Sequence, residues 1–220
     1  MVLDSLVDNG VGDAITGGFR HGRNGRRGGF ARVCHEGHTF TTVAKFLLPI
    51  RSRPMTRIVG FPPLATRQSS VLILGSMPGV ASLQAGRYYA HGRNAFWPIM
   101  GELFAAGPSL PYEDRVAVLL SHRVAVWDTL KACDRTGSLD TAIANEVPND
   151  FQAFFNEHPG ITHIFFNGAK AHAAYRRHIL SQLPQKPHVT TILPSTSPAH
   201  AGRTFRQKVA AWSVVKQAAG

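Results

Sequence analysis

Residues 71–104 read VLILGSMPGVASLQAGRYYAHGRNAFWPIMGELF, and this stretch decides how the rest of the chain is read. Val71 to Leu74 is a short apolar run of the kind that forms a strand buried on both faces. It stops at Gly75-Ser76-Met77-Pro78-Gly79, a loop of turn-forming residues. A polar and aromatic segment follows, with Tyr88, Tyr89, His91, Arg93 and Asn94. Phe96, Trp97, Ile99, Met100, Leu103 and Phe104 then recur at helical spacing, which predicts a helix over 94–106, ended by Gly107-Pro108. The order is strand, loop, polar segment, helix. In an open parallel sheet, ligands bind beyond the carboxyl ends of the strands, where this loop lies.

Working outward, Tyr112 to His122 reads as a helix with Val116, Leu119 and Leu120 on one face. Val124 to Trp127 is a second strand, stopped at Asp128. Thr129 to Ile143 reads as turn-like and then helical. Asn149 is placed to cap a helix carrying Phe151, Phe154 and Phe155. Thr162 to Phe166 is a third strand, broken by Asn167-Gly168, with a helix from Ala169 to about Leu183 after it. Val189 to Leu193 is a fourth strand, running into Pro194-Ser195-Thr196-Ser197-Pro198-Ala199-His200. A last helix spans about Thr204 to Lys216, with Phe205, Val209 and Trp212 inward. Residues 58–70, with Pro62-Pro63, read as an extended lead-in. Strands alternate with helices, so the expected fold is α/β: a three-layer α/β/α domain with a central, mostly parallel four-stranded sheet.

With 220 residues there is room for one ordinary domain with a sizeable core. No run of about 20 apolar residues is present, so no transmembrane helix and no membrane partner are expected. Asp4 and Asp8 stand where a secretory signal would carry positive charge. Cys34 and Cys133 form no CxxC pair, so they suggest neither a zinc site nor an iron–sulfur cluster. These features together suggest a reducing cytoplasm. The net charge of +11 favours a polyanion, and nucleic acid is the first candidate beside a merely solvated basic surface.

Residues 1–54 differ from the rest. Gly17 to Gly29 is a Gly/Arg stretch of low complexity that cannot bury enough apolar surface to offset its chain entropy. It reads as a poorly ordered or artefactual extension, with Met55 able to serve as the true start; an RGG-like arm adding nucleic-acid affinity is the functional alternative. The basic balance survives without it. From Met55 onward 16 Lys and Arg stand against 9 Asp and Glu, a balance of +7.

Three strand ends carry unusual loops: Gly75 to Gly79, Asn167-Gly168, and Pro194 to His200. A parallel sheet puts all three on one rim. The first is neither a P-loop nor GxGxxG, so a nucleotide-phosphate cradle is disfavoured, and a tight strand-to-helix turn is the plain alternative. Tyr88 and Tyr89 suit a base sandwich or a core. Asn94 suits a bound water, a base edge, or a helix N-cap. His91 suits the same polar segment or an ordinary surface. Ser195, Thr196 and Ser197 offer hydroxyls to phosphate, or belong to a solvated connector. No G-x-S-x-G elbow surrounds these serines, which argues against a serine hydrolase.

At these residues the chain resembles the uracil-DNA glycosylase superfamily, and within it the hypoxanthine-DNA glycosylases. The resemblance rests on Gly75-Ser76-Met77-Pro78-Gly79 with Ser82-Leu83, on Tyr88-Tyr89-x-His91-x-Arg93-Asn94-x-Phe96-Trp97, and on Leu193 to Ala199. Trp127-Asp128, Gly137-Ser138-Leu139-Asp140 and Phe166-Asn167-Gly168 add weaker support. It covers Met55 to the C-terminus. Mismatch-specific relatives carry a water-positioning asparagine where Met77 stands, so the resemblance moves that role to Asn94. Gly92 stands where relatives usually have proline, and the superfamily's second-motif histidine is missing, with His200 displaced.

The resemblance implies a monofunctional glycosylase that hydrolyses the bond between a deaminated base, hypoxanthine first, and its sugar. Asn94 would position water. Tyr88 or Tyr89 would stack on the base, with Gly75, Ser76, Met77, Pro78, Gly79, His91 and Asn167 around it. Ser195, Thr196, Ser197 and His200 would grip the DNA. Neither metal nor organic cofactor is implied, and a cytoplasmic monomer acting on DNA is expected. Uracil is the nearest alternative substrate. A non-catalytic binder of damaged DNA is the rival from another class.

Overall fold

A computed structural model describes residues 56–183 and 188–220. The Gly/Arg segment and the expectations attached to it lie outside these residues. The centre is a four-stranded parallel sheet of β2 (Val71–Gly75), β3 (Val124–Asp128), β6 (His163–Asn167) and β7 (Val189–Leu193), in the order β3-β2-β6-β7. All five residues of β2 and of β3 are buried, as their unbroken apolar runs require. The stretch quoted first is therefore the middle of the sheet.

Helices cover both faces. α1 (Val80–Ala85), α2 (Phe96–Phe104) and α3 (Tyr112–Ser121) lie between β2 and β3 in the chain. α6 (Phe205–Ala219) packs on α2, where the Trp212 ring meets Phe96 edge-on. α4 (Phe151–Glu157) brings Phe151 and Phe154 against Trp127, and Phe151 meets Tyr175 of α5 (Ala169–His178). The three-layer α/β/α expectation holds. Among the described residues, no helix is long and apolar enough to cross a membrane.

The structure differs from the sequence reading in one element group. The start of the extended lead-in, the first part of the segment expected to be turn-like and then helical, and the residues just after that segment form a second, antiparallel sheet. It consists of β1 (Thr56–Val59), β4 (Leu130–Arg135) and β5 (Ala144–Pro148), in the order β1-β4-β5. β4 mixes Leu130, Ala132 and Cys133 with Lys131, Asp134 and Arg135, so its apolar pattern is too interrupted to read as a strand. Its pairing partner, Thr56 to Val59, is more than 70 residues away in the chain. Only Asp140–Ala142 of the expected helix forms, as one 3₁₀ turn.

Smaller differences concern helix ends. α2 stops earlier than Gly107, because Ala105 takes a left-handed conformation, its N–H returning to the Gly101 carbonyl and that of Ala106 to the Met100 carbonyl. The cap of α4 is Asp150, whose carboxylate accepts from Ala153 N–H; Asn149 instead donates to the Asp128 carbonyl. Phe205 is 42% exposed rather than inward, since it opens α6 directly after the N-cap Thr204, inside the capping box that Gln207 closes.

Candidate active site

Strand register fixes the geometry. Gly75 pairs with Asp128, and Asn167 with Leu193, so the carboxyl ends of all four strands meet at one rim. The chain leaves β2 toward β3 on one side and β6 toward β7 on the other, which opens a crevice between β2 and β6. A cavity of about 410 Å³ lies there. It is lined by the loop from Gly75 to Gly79, the segment from Tyr88 to Asn94, Asp128, Asn167, and the loop from Ser195 to Ala199. The three rim loops singled out in the sequence do converge on one site.

The first loop presents backbone. A Cβ on Gly75 would collide with the Asp128 carboxylate, so glycine here is what lets a carboxylate stand at the end of the neighbouring strand. Asp128 is 3% exposed and lines the cavity. The Met77 side chain turns away into a small core with Ile58, Leu130 and Cys133, so its share of the cavity is backbone. Among the described residues, the N–H groups of Met77 and Gly79 meet no acceptor. On the other side of the loop the buried Arg135 donates to the Pro78 carbonyl.

The polar segment separates into core and wall. Tyr88 is 3% exposed; its ring meets Phe61 edge-on and its hydroxyl donates to the Pro62 carbonyl at 3.1 Å. Burial, then the nearby Asp128 charge, pushes its phenol far above the ordinary value, so it stays neutral. Tyr88 thus packs mainly in the core and, of the two tyrosines expected to stack, is the less open to the cavity that it helps to line. Tyr89 adopts a left-handed backbone conformation, φ 54°, and its ring stacks on Phe96 at 3.8 Å between centroids. His91 is exposed and its Nδ1 accepts from Arg93 N–H, which tightens the turn at the cavity mouth.

Asn94 stands both at the start of α2 and in the cavity wall. Its Oδ1 accepts from Phe96 N–H at 2.9 Å, although the N-cap itself is Ala95. The same residue lines the cavity. The bond to Phe96 fixes the amide plane and leaves Oδ1 a second lone pair. Ala95 N–H donates to the Thr196 carbonyl at 3.0 Å, tying this segment to the last loop.

The last loop is held rather than free. Asn167 Nδ2 donates to Thr196 Oγ1 at 2.9 Å, and Asn167 Oδ1 accepts from Thr196 N–H at 2.8 Å. Both ends of this amide are engaged, so Asn167 clasps the loop to β6, and it also lines the cavity. Thr196 is 1% exposed, too deep to touch a phosphate. Ser195 and Ser197 accept from the N–H groups of Ser197 and Ala199 and line the cavity. His200 is exposed and lines an adjoining groove with Lys170 and Arg203. Its carbonyl accepts from the buried Lys208 Nζ at 2.9 Å.

Asp128, Ser138 and Leu139 are among the wall residues that were not sequence candidates. Asp128 carried a signal, since a carboxylate directly after an apolar strand sits on the rim. Ser138 and Leu139 carried little, because their loop follows a strand that was not recognised. Ser138 Oγ accepts from Val80 N–H at 2.9 Å and pins that loop to the start of α1. Among the described residues, no three His, Cys, Asp or Glu side chains gather as metal ligands.

A parallel-sheet protein with an amide-lined rim cavity, a fixed asparagine and a basic charge balance has the form of a nucleic-acid base-processing enzyme. Comparison with known proteins gives the family. Residues 62–216 match the family described as the Uracil DNA glycosylase superfamily, and the chain belongs to it. A Hypoxanthine DNA glycosylase of Methanosarcina acetivorans is 32% identical over 157 residues, 71% of this chain and 96% of that protein. One from Methanosarcina barkeri is 35% identical over 113 residues, 51% of this chain and 72% of that protein. A solution structure from Methanosarcina acetivorans, provisionally described as a uracil DNA glycosylase, superposes with a TM-score of 0.61 at 29% identity. It covers 73% of this chain and 99% of its own. The chain is a DNA glycosylase.

Proposed function

We propose that this glycosylase removes hypoxanthine, the deamination product of adenine, from DNA and leaves an abasic site. It does so as a cytoplasmic monomer without metal or organic cofactor. The observation that carries the reading is the rim cavity, where two acceptor-free amides, a fixed asparagine and a buried carboxylate face one space. The names of the two archaeal relatives support the choice of base.

The duplex hides the sugar carbon, so the nucleotide must first leave the stack. The cavity receives the flipped base against Tyr89, whose ring is backed by Phe96. Asp128 accepts a ring N–H; hypoxanthine offers one at N1, where adenine has only an acceptor. Asn94 Oδ1, held by Phe96 N–H, orients water toward the sugar carbon. The N-glycosidic electron pair leaves on the base through an oxocarbenium-like state. The Met77 and Gly79 N–H groups meet that developing negative charge, where preorganised dipoles act most strongly. Ser195, Ser197, His200 and the basic groove beside them take the DNA backbone.

Uracil also presents a ring N–H beside carbonyl oxygens, so the same carboxylate admits uracil as the second reading. Labelled duplexes with one hypoxanthine or one uracil, followed by alkali, test both. Cleavage at hypoxanthine supports the reading. Cleavage only at uracil keeps the mechanism and changes the base. Binding without cleavage at either would mean a non-catalytic binder of damaged DNA.

A further inference from the structure

Arg135 is the least expected side chain in the molecule. It is 1% exposed, at the end of β4, and among the described residues it forms no ion pair. Its Nη2 donates to the Pro78 carbonyl, while Nε and Nη1 are buried and meet no partner among the described residues. An unpaired buried guanidinium is costly. Packing alone does not account for it, because an apolar side chain would fill the same space without that cost.

We propose that Arg135 is a positioning residue for catalysis: through the Pro78–Gly79 peptide it strengthens the loop that receives the negative charge of the departing base. This inference rests on the glycosylase reading above and adds a residue to it. The Pro78 carbonyl and the Gly79 N–H belong to one planar amide, whose dipole runs from one to the other. A cation bonded at the carbonyl end polarises that dipole and makes the N–H a stronger donor. Gly79 lines the cavity, and its N–H has no protein acceptor among the described residues. The guanidinium also adds a fixed positive charge behind the loop in a low-dielectric setting.

The pocket needs such a charge. Asp128 lines the cavity from the Gly75 end of the same loop. Its negative charge suits a neutral base bearing N–H but opposes an anionic one. Bond cleavage moves the N-glycosidic electron pair onto the base; the water oxygen bonds to the sugar carbon, and the water's proton ends on the released base. Asp128 therefore favours binding of the neutral base, and Arg135, at the Pro78 end, favours its departure as an anion. Arg135 acts on the transition state more than on the ground state.

The test uses the full chain with Arg135→Met, Arg135→Lys and Arg135→Gln, each checked for folding by circular dichroism and thermal melting. Single-turnover excision is measured on duplexes holding hypoxanthine or 2-fluorohypoxanthine, a more acidic leaving group. Binding is measured on a duplex whose nucleotide carries a 2′-fluorine that blocks cleavage. Arg135→Met is expected to lower the excision rate about 10- to 100-fold while changing the dissociation constant less than about 3-fold. Its deficit is expected to shrink several-fold on the fluorinated base, which needs less help to leave as an anion. Arg135→Lys should recover most of the rate.

Equal deficits on the two bases, or a rate that falls only in step with binding, would overturn the inference in favour of a structural arginine. If Arg135→Met does not fold, Lys and Gln decide: Lys faster than Gln supports the charge, and Gln equal to Lys overturns it. A wild type active on uracil alone moves the same comparison to uracil and 5-fluorouracil and overturns only the choice of base. A wild type inactive on both removes the glycosylase reading and this inference together.

Discussion

At the scale of single residues, the site separates groups that act from groups that hold. Asn94→Ala removes the amide proposed to orient water and is expected to lower single-turnover excision about 100- to 1000-fold, with the fold intact by circular dichroism. The loss of its bond to Phe96 N–H should cost only about 1 kcal/mol in urea unfolding. Gly75→Ala reads the other wall. The added methyl must displace the Asp128 carboxylate, so the variant should lose base discrimination as well as rate, measured as the ratio of excision from hypoxanthine and adenine duplexes. At this scale, the Gly75 to Gly79 loop was legible because spacing puts it after a strand and before a helix, whereas Asn94 was singled out by the family resemblance, since spacing alone fitted an N-cap as well. Tyr88 was not separable from Tyr89. Adjacent residues of one type give no sign of which ring turns inward, and the bond from Tyr88 to the Pro62 carbonyl is a contact across 26 residues.

At the scale of elements, the clasp between β6 and the last loop is the feature to break. Asn167→Ala leaves Thr196 N–H without its acceptor in a buried place, an expected cost of about 1–3 kcal/mol. Chemical denaturation would give that figure, and excision should fall with it because Ser195 and Ser197 lose their position. A second joint ties the antiparallel sheet to α5. Glu146 on β5 accepts from Lys170, Arg177 and His178 of α5. Burial alone would raise its pKa, but the hydrogen bonds from Lys170 and His178 and the charges of Lys170 and Arg177 outweigh it and hold the carboxyl below its ordinary value. A folded pKa below the unfolded one adds stability above about pH 4.5 and loses it as pH falls through the lower folded value. Melting temperature should therefore drop on acidification below that point, and Glu146→Gln should flatten the drop. The parallel sheet was legible as four apolar runs with helices between them. The antiparallel sheet was not, since β4 is half charged and its partner strand is distant in sequence.

At the scale of the molecule, charge governs encounter with DNA. The balance of +7 from Met55 onward predicts that the dissociation constant for a plain duplex rises steeply with salt. A log–log slope of about 3 or more, at about 0.9 per phosphate neutralised, would match such a surface. A flat response in a salt titration by fluorescence anisotropy would contradict it.

The clasp has one more consequence, which concerns how the chain becomes an enzyme. Asn94, Asp128, Asn167 and Thr196 come from the ends of β3 and β6 and from the segments that follow α1 and β7, spread over about half of the chain, and only the finished sheet brings them together. A cavity built from contacts so distant in sequence has high contact order, which slows folding. It also makes activity all-or-none: until β7 has docked on β6, Thr196 has no place to bind and the wall facing Asn94 is missing. Catalysis in this protein is therefore a late event of folding, and recovery of excision after dilution from denaturant should trail the recovery of helical signal.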